Sequence, residues 1–324
     1  MMSRAACKLL LIGGLATLFN ACDGEMPQNP PGTEPGPGFP DNGTPDNGTP
    51  DNGTPDDGSA PDTPEVSGDV CSGGSSRYYT ESGPYGMRLT SLTNAEGLTY
   101  EVYTPDPERL DCRTPVVGFA MGTGAPAFAY QFHYEHLASW GITVIVDATL
   151  TGQYDGGTLR RAIDDLYADP AFSGFLSDRA GTIGHSQGGG AAVSASAHPK
   201  VQAVVGFMPA LVPTGLTKPG LYLGGTVDHW GTVTDPVHPY NATNGTAYMA
   251  KITGADHTNP AIHGTYPFLK SPPPPQPAMF RSAATGWFRC HLSGDAGACA
   301  MFGPKDCSGL YTVANEQWEQ CDGK

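Results

Sequence analysis

Apolar residues gather once near the N-terminus, at Leu9 to Phe19, are almost absent from Asp23 to Asp69, and then return in short runs that recur to the C-terminus. The early runs, at 78–80, 87–92 and 98–103, are of strand length and rich in Tyr, Leu, Thr and Val, which predicts antiparallel strands leading into a sheet. Strand and helix patterns then alternate. Thr114 to Ala120 is a near-continuous apolar strand, Tyr130 to Trp140 a helix, and Ile142 to Val146 a second buried strand. Gly157 to Tyr167 places Leu159, Ile163 and Leu166 on one helical face. Arg179 to Ile183 is a strand, Gly189 to Ala195 a helix of very small residues, and strands follow at Val201 to Phe207, Gly220 to Gly224 and Thr246 to Ile252. A run of four prolines from Pro272 precedes a last helix beginning near Ala278. This alternation predicts an α/β domain, a mostly parallel central sheet flanked by helices, with its active site beyond the carboxyl ends of the strands.

The two poor regions set the organisation. Arg4 and Lys8 precede the apolar run, which is too short to span a bilayer comfortably and stops at Cys22. Residues 1–22 thus resemble a bacterial lipoprotein signal in which Cys22 becomes a lipid anchor to a membrane; ordinary signal cleavage is the alternative. Residues 23–70 are dominated by Pro, Gly, Asp, Asn and Thr. Three copies of Asp-Asn-Gly-Thr-Pro begin at Asp41, Asp46 and Asp51. So few core-forming side chains predict a disordered, extended tether. Residues 71–324 remain as one domain, long enough for a sizeable core. The tether distorts the charge balance. Of the formal −15, the stretch from Asp23 to Asp69 holds 11 acidic residues and no basic one, whereas Cys71 to Lys324 has 21 acidic and 15 basic. The domain surface is therefore ordinary, without the basic stripe that nucleic acid requires. Six cysteines lie in the domain, an even number that in an exported chain predicts disulfides: Cys71 with Cys112, and two bridges among Cys290, Cys299, Cys307 and Cys321. No C-x-x-C spacing supports a zinc site; His229, Asp235 and His238 form a loosely spaced, weaker candidate set of metal ligands.

The chemistry gathers at Gly184-His185-Ser186-Gln187-Gly188, between a predicted strand and a predicted helix. A serine at the apex of a tight strand-to-helix turn is the nucleophile elbow of α/β-hydrolases, where a helix start also supplies N–H groups and a positive dipole end to an oxyanion. Serine needs a base, and in this arrangement an acid and then a histidine follow it in the chain. Asp228 comes just after the strand Gly220 to Gly224, and His257 just after the strand ending at Ile252, so catalytic Ser186, His257 and Asp228 are expected to act together. Asp235 is the fallback acid, and His229, His238 and His263 are weaker bases; Asp256 adjoins His257 too closely to orient it, and His185 is expected to pack the site. The oxyanion hole is expected from the N–H groups of Gln187 and of Thr123, the latter in the Gly-rich loop after the strand Thr114 to Ala120. No cofactor is needed.

Met121-Gly122-Thr123-Gly124, Leu137-Ala138-Ser139-Trp140-Gly141, Gly184 to Gly190 and the Asp228 and His257 segments together resemble bacterial cutinase-like polyester hydrolases, including poly(ethylene terephthalate) hydrolases, and are similar to chlorophyllase- and lipase-like esterases. The resemblance covers roughly residues 85 to 290. It implies an α/β-hydrolase fold, a serine carboxylic-ester hydrolase and an ester substrate. Gln187 stands where the family usually has methionine, Thr123 where polyester hydrolases carry an aromatic residue, and the loop 208–213 lacks their tryptophan. Phe128, Met208 and Trp230 are then the expected apolar walls of substrate binding, with Tyr130 and Phe132 as further candidates; core packing is the alternative role for most of these five. A peptidase or acyltransferase on the same triad, and a non-catalytic surface-binding module with a vestigial elbow, are the alternatives.

Overall fold

The computed structural model describes residues 70–71, 76, 78–147, 156–261, 276–310 and 317–324. The signal segment with Cys22, nearly all of the tether, and His263 lie outside these residues. The described strands are β1 (Met87–Thr93), β2 (Thr99–Pro105), β3 (Thr114–Ala120), β4 (Thr143–Asp147), β5 (Leu176–His185), β6 (Val201–Phe207), β7 (Gly220–Gly225), β8 (Ala247–Ile252) and β9 (Trp318–Gly323). The described α-helices are α1 (Gln131–Ser139), α2 (Gly157–Ala168), α3 (Pro170–Ser173), α4 (Gln187–Ala195), α5 (Gly231–Thr234), α6 (Val237–Ala242), α7 (Gln276–Ser293) and α8 (Ala296–Ala300).

All nine strands join one sheet in the order β1-β2-β4-β3-β5-β6-β7-β8-β9. The pairings from β4 through β3, β5, β6 and β7 to β8 are parallel, and β1–β2, β2–β4 and β8–β9 are antiparallel. The architecture is α/β, a mostly parallel sheet with helices on both faces. Strand alternation explains the two faces. Val117, Phe119, Val144, Val146, Val205 and Leu223 pack into a core with Tyr134 and Leu137 of α1 and Phe280 and Trp287 of α7. Their neighbours Val116, Ile145, Val204 and Tyr222 point the other way, onto Ala162, Ile163 and Leu166 of α2 and Val193 of α4. Burying each such aliphatic side chain is worth about 1.5–3 kcal/mol, which makes the central strands the rigid part of the scaffold.

The strand order reverses at β3. From there the chain first moves outward to β4, then returns to the other side of β3 as β5 and continues through β6, β7 and β8. The segments leaving β3 and β5 therefore start from adjacent carboxyl strand ends, at the point of the sheet where the strand order reverses.

One expected strand is absent, and one observed strand has no signal in the sequence. Tyr78 to Thr80 is not a strand: Tyr79 has φ 51°, is fully buried, and sets its ring edge-on to Trp140 at 4.8 Å. Its hydroxyl donates to Asp295, which also pairs with the buried Arg289. The apolar look of this segment reflects a side chain plugging a gap rather than a pleat. β9 had no apolar alternation to announce it, and it is fixed to β8 by pairing from Ile252↔Trp318 to Tyr248↔Gly323 and by a disulfide at Cys321. The bridges are Cys71–Cys112, as expected, and Cys290–Cys299 and Cys307–Cys321 among the C-terminal four. Three disulfides place the domain in an oxidising environment. No described helix is long and apolar enough to cross a membrane.

Candidate active site

β5 ends at His185 and α4 begins at Gln187, so Ser186 alone makes the turn. Its backbone sits at φ 56°, ψ −124°, a region that costs a non-glycine residue about 1–3 kcal/mol and persists only when its surroundings hold it. Here the surroundings are explicit. The Ser186 N–H donates to the Phe207 carbonyl at 3.0 Å, and the Ser186 carbonyl accepts from Ala210 at 2.9 Å and Gly190 at 3.3 Å. Glycine is required at Gly184 and Gly188 by close approach: a Cβ on Gly184 would lie 2.1 Å from the Gly188 carbonyl oxygen, and one on Gly188 would lie 2.2 Å from that of Met121. The second contact seats the start of α4 directly on the loop after β3.

Around this serine the structure brings together the expected partners. His257 Nε2 lies 3.0 Å from Ser186 Oγ, and His257 Nδ1 lies 3.2 Å from Asp228 Oδ2. Asp228 reaches this position from the turn after β7, and His257 from the turn after β8, both at carboxyl strand ends. The Asp228 side chain is 3% exposed, and its two oxygens are fully used: Oδ1 accepts the Trp230 N–H at 2.9 Å, and Oδ2 accepts the Thr234 hydroxyl at 2.7 Å as well as His257. Burial alone would raise its pKa. The hydrogen bonds from His257, Thr234 and Trp230 outweigh burial and hold it down to about 2, so the carboxylate is ionised at neutral pH. An ionised Asp228 fixes the proton of His257 on Nδ1 and leaves Nε2 free to accept from Ser186 Oγ–H. The arrangement is therefore able to move a proton off the serine and to stabilise the imidazolium that results.

Thr123 and Gln187 also face each other. Neither backbone N–H donates to another described backbone group, and the Thr123 hydroxyl donates to Gln187 Oε1. At the first position of α4, the Gln187 N–H has no intrahelical acceptor and is left for an incoming anion. The walls divide. Phe128 and Trp230 are more than half exposed, the Trp230 ring lying 6.2 Å from that of His257. Met208 is a correction: it is fully buried and belongs to the core beneath the site, where its Cε methyl would meet a Cβ on Gly225 at 2.7 Å. Its left-handed backbone, φ 44°, turns the side chain inward from the loop after β6. Tyr130 is likewise buried.

The remaining candidates are occupied elsewhere. Asp235 pairs with Lys251 Nζ at 2.9 Å, and Asp256 accepts both the N–H and the hydroxyl of Thr258. His229 and His238 are exposed. No three His, Cys, Asp or Glu side chains among the described residues cluster as metal ligands would.

Two contributors escaped the sequence reading. Thr234, six residues past Asp228, has no motif to mark it. Tyr130, expected as a cleft wall or as core packing, accepts the Gly122 N–H on its hydroxyl at 3.0 Å, and the same oxygen is hydrogen-bonded to His185 Nδ1 at 2.8 Å. His185 packs its ring 4.8 Å from that of His257. Burial pushes His185 down to about 3, with the nearby His257 adding to the fall, so its ring is neutral. Among the described residues its Nε2 has no hydrogen-bond partner, although the His257 main chain lies near enough to oppose the shift. One buried phenol thus ties the Thr123 loop to the residue preceding the serine.

A scan against protein-family models finds no match to the chain, and a search of curated proteins finds none either.

Proposed function

We propose that the protein is a serine hydrolase of the α/β-hydrolase fold that cleaves carboxylic esters. The observation that carries this reading is the continuous hydrogen-bond chain from Ser186 through His257 to Asp228, built on a serine in strained backbone geometry. In the proposed reaction Ser186 Oγ attacks the ester carbonyl as its proton passes to His257 Nε2. The tetrahedral oxyanion is held by the N–H groups of Thr123 and Gln187, collapse expels the alcohol with the proton from His257, and water, activated by the same imidazole, releases the acid and restores Ser186. The resemblance to cutinase-like esterases supports the ester over the amide. The absence of an aromatic side chain at 123 and of tryptophan in 208–213 argues for substrates other than aryl polyesters. The disulfides, the lipoprotein-like signal and the tether support an exported enzyme, anchored through a lipid at Cys22 or released.

Ser186→Ala is expected to abolish hydrolysis of p-nitrophenyl butyrate, leaving the far-UV circular dichroism unchanged, and to prevent labelling by a fluorophosphonate probe. Turnover near that of the wild type in this variant, or no labelling of the wild type, would remove the proposal.

A further inference from the structure

The two N–H groups assigned to the oxyanion stand on loops from different strands, β3 and β5, and the side chains of the same two residues join those loops. The Thr123 hydroxyl donates to the carboxamide oxygen of Gln187. This bond has a chemical consequence. A glutamine side chain carries one acceptor oxygen and one two-proton donor nitrogen. With Oε1 engaged, the end left over is Nε2, and it has no partner among the described residues. Gln187 is only partly buried and directly follows Ser186, and this donor belongs to the same residue whose N–H is assigned to the oxyanion.

A hydrocarbon laid against that NH2 would strip it of water and give nothing back, whereas an oxygen atom would satisfy it. Resting on the ester-hydrolase reading, we propose that the Thr123–Gln187 pair is a specificity-determining clasp that selects acyl groups carrying an ether, hydroxyl or carbonyl oxygen one or two carbons from the scissile carbonyl. The substrate class is then esters of hydroxy, alkoxy or oxo acids. Thr123 acts by fixing which end of the carboxamide faces the substrate, and Gln187 acts by donating to it.

The test uses two isosteric substrates, p-nitrophenyl 3-methoxypropanoate and p-nitrophenyl pentanoate, with each kcat/KM divided by the rate of hydroxide-catalysed hydrolysis of the same ester. The wild type is expected to prefer the methoxy ester by about tenfold, the equivalent of one hydrogen bond worth about 1.4 kcal/mol. Gln187→Met should bring the ratio to about one. Thr123→Val, which keeps the glutamine but frees its oxygen to compete for the same place, should bring it to within about twofold of one. Because Thr123 is exposed, this second variant tests the clasp even if the first folds poorly. A wild-type ratio of one or below, or a ratio that neither variant changes, overturns the clasp while Ser186-dependent hydrolysis upholds the ester reading. Failure of the wild type to hydrolyse either ester in a Ser186-dependent way overturns both.

Discussion

Tyr130 shows how much of the candidate site rests on a side chain outside the proposed triad. Its hydroxyl is fully buried between the Gly122 N–H and His185 Nδ1, and each of those atoms belongs to a segment that carries a proposed catalytic group. Tyr130→Phe leaves the packing volume almost unchanged but strands two buried polar atoms, each costing about 1–3 kcal/mol. The expected outcome is a fall of about 10-fold in kcat for p-nitrophenyl butyrate with little change in KM, because the Thr123 N–H would lose its placement in the transition state rather than in the ground state. Equal loss in both parameters, or none, would show that the hydroxyl serves packing alone. At this scale the sequence was informative where chemistry comes with a spacing: Ser186 in its pentapeptide, and Asp228 and His257 just past strands. It was silent where a residue acts through a contact made in three dimensions, as Thr234 and Tyr130 do. Met208 misled because its loop position pointed to the cleft, while its φ of 44°, invisible in the sequence, turns the side chain into the core.

Elements were legible in proportion to their burial on both faces. The central strands β3 to β8 announce themselves as apolar runs, and their boundaries fall within a few residues of the pattern. β9 reads Trp318-Glu319-Gln320-Cys321-Asp322-Gly323, an edge strand with one buried side chain, and periodicity has nothing to register there. What holds it is pairing to β8 on one side and the Cys307–Cys321 bridge. That bridge spans 14 residues, and closing such a loop in the unfolded chain is worth about 3 kcal/mol. The paired Cys307→Ala, Cys321→Ala variant is therefore expected to lose about that much stability in urea unfolding and to show fast amide exchange in β9. Since Trp318 pairs with Ile252, the last residue of the strand that leads to His257, kcat should fall as well. Unchanged exchange in β9 would mean that strand pairing alone suffices.

Across the whole domain, buried histidines tie stability to pH. His133 donates to the Pro260 carbonyl at 2.9 Å, anchoring the loop that carries His257 to α1, and His136 reaches the Tyr79 carbonyl at 2.9 Å. Burial is the main cause that depresses His133, His136 and His185 to about 3, and it brings His291 to about 4. In the unfolded chain these rings titrate near 6.5. Between about pH 6.5 and pH 3 the unfolded state therefore binds protons that the folded state refuses, and stability must fall as pH falls. Each group contributes a limiting slope of about 1.4 kcal/mol per pH unit, and a domain of ordinary stability has about 5–15 kcal/mol to lose. Asp228 acts in the same direction but in a lower window. With a folded value of about 2 against 3.8, its contribution is intact above about pH 4 and is lost as pH drops through 2. Between pH 6.5 and 5 the carboxylates scarcely titrate, so that interval isolates the histidines. Unfolding free energies from urea titrations are expected to decline steadily from pH 7 to pH 5. His136→Gln, whose carboxamide can still donate to Tyr79, should reduce the slope by about one proton's worth. A stability that stays level over that interval would mean that these imidazoles are already protonated, or free to become so, in the folded protein.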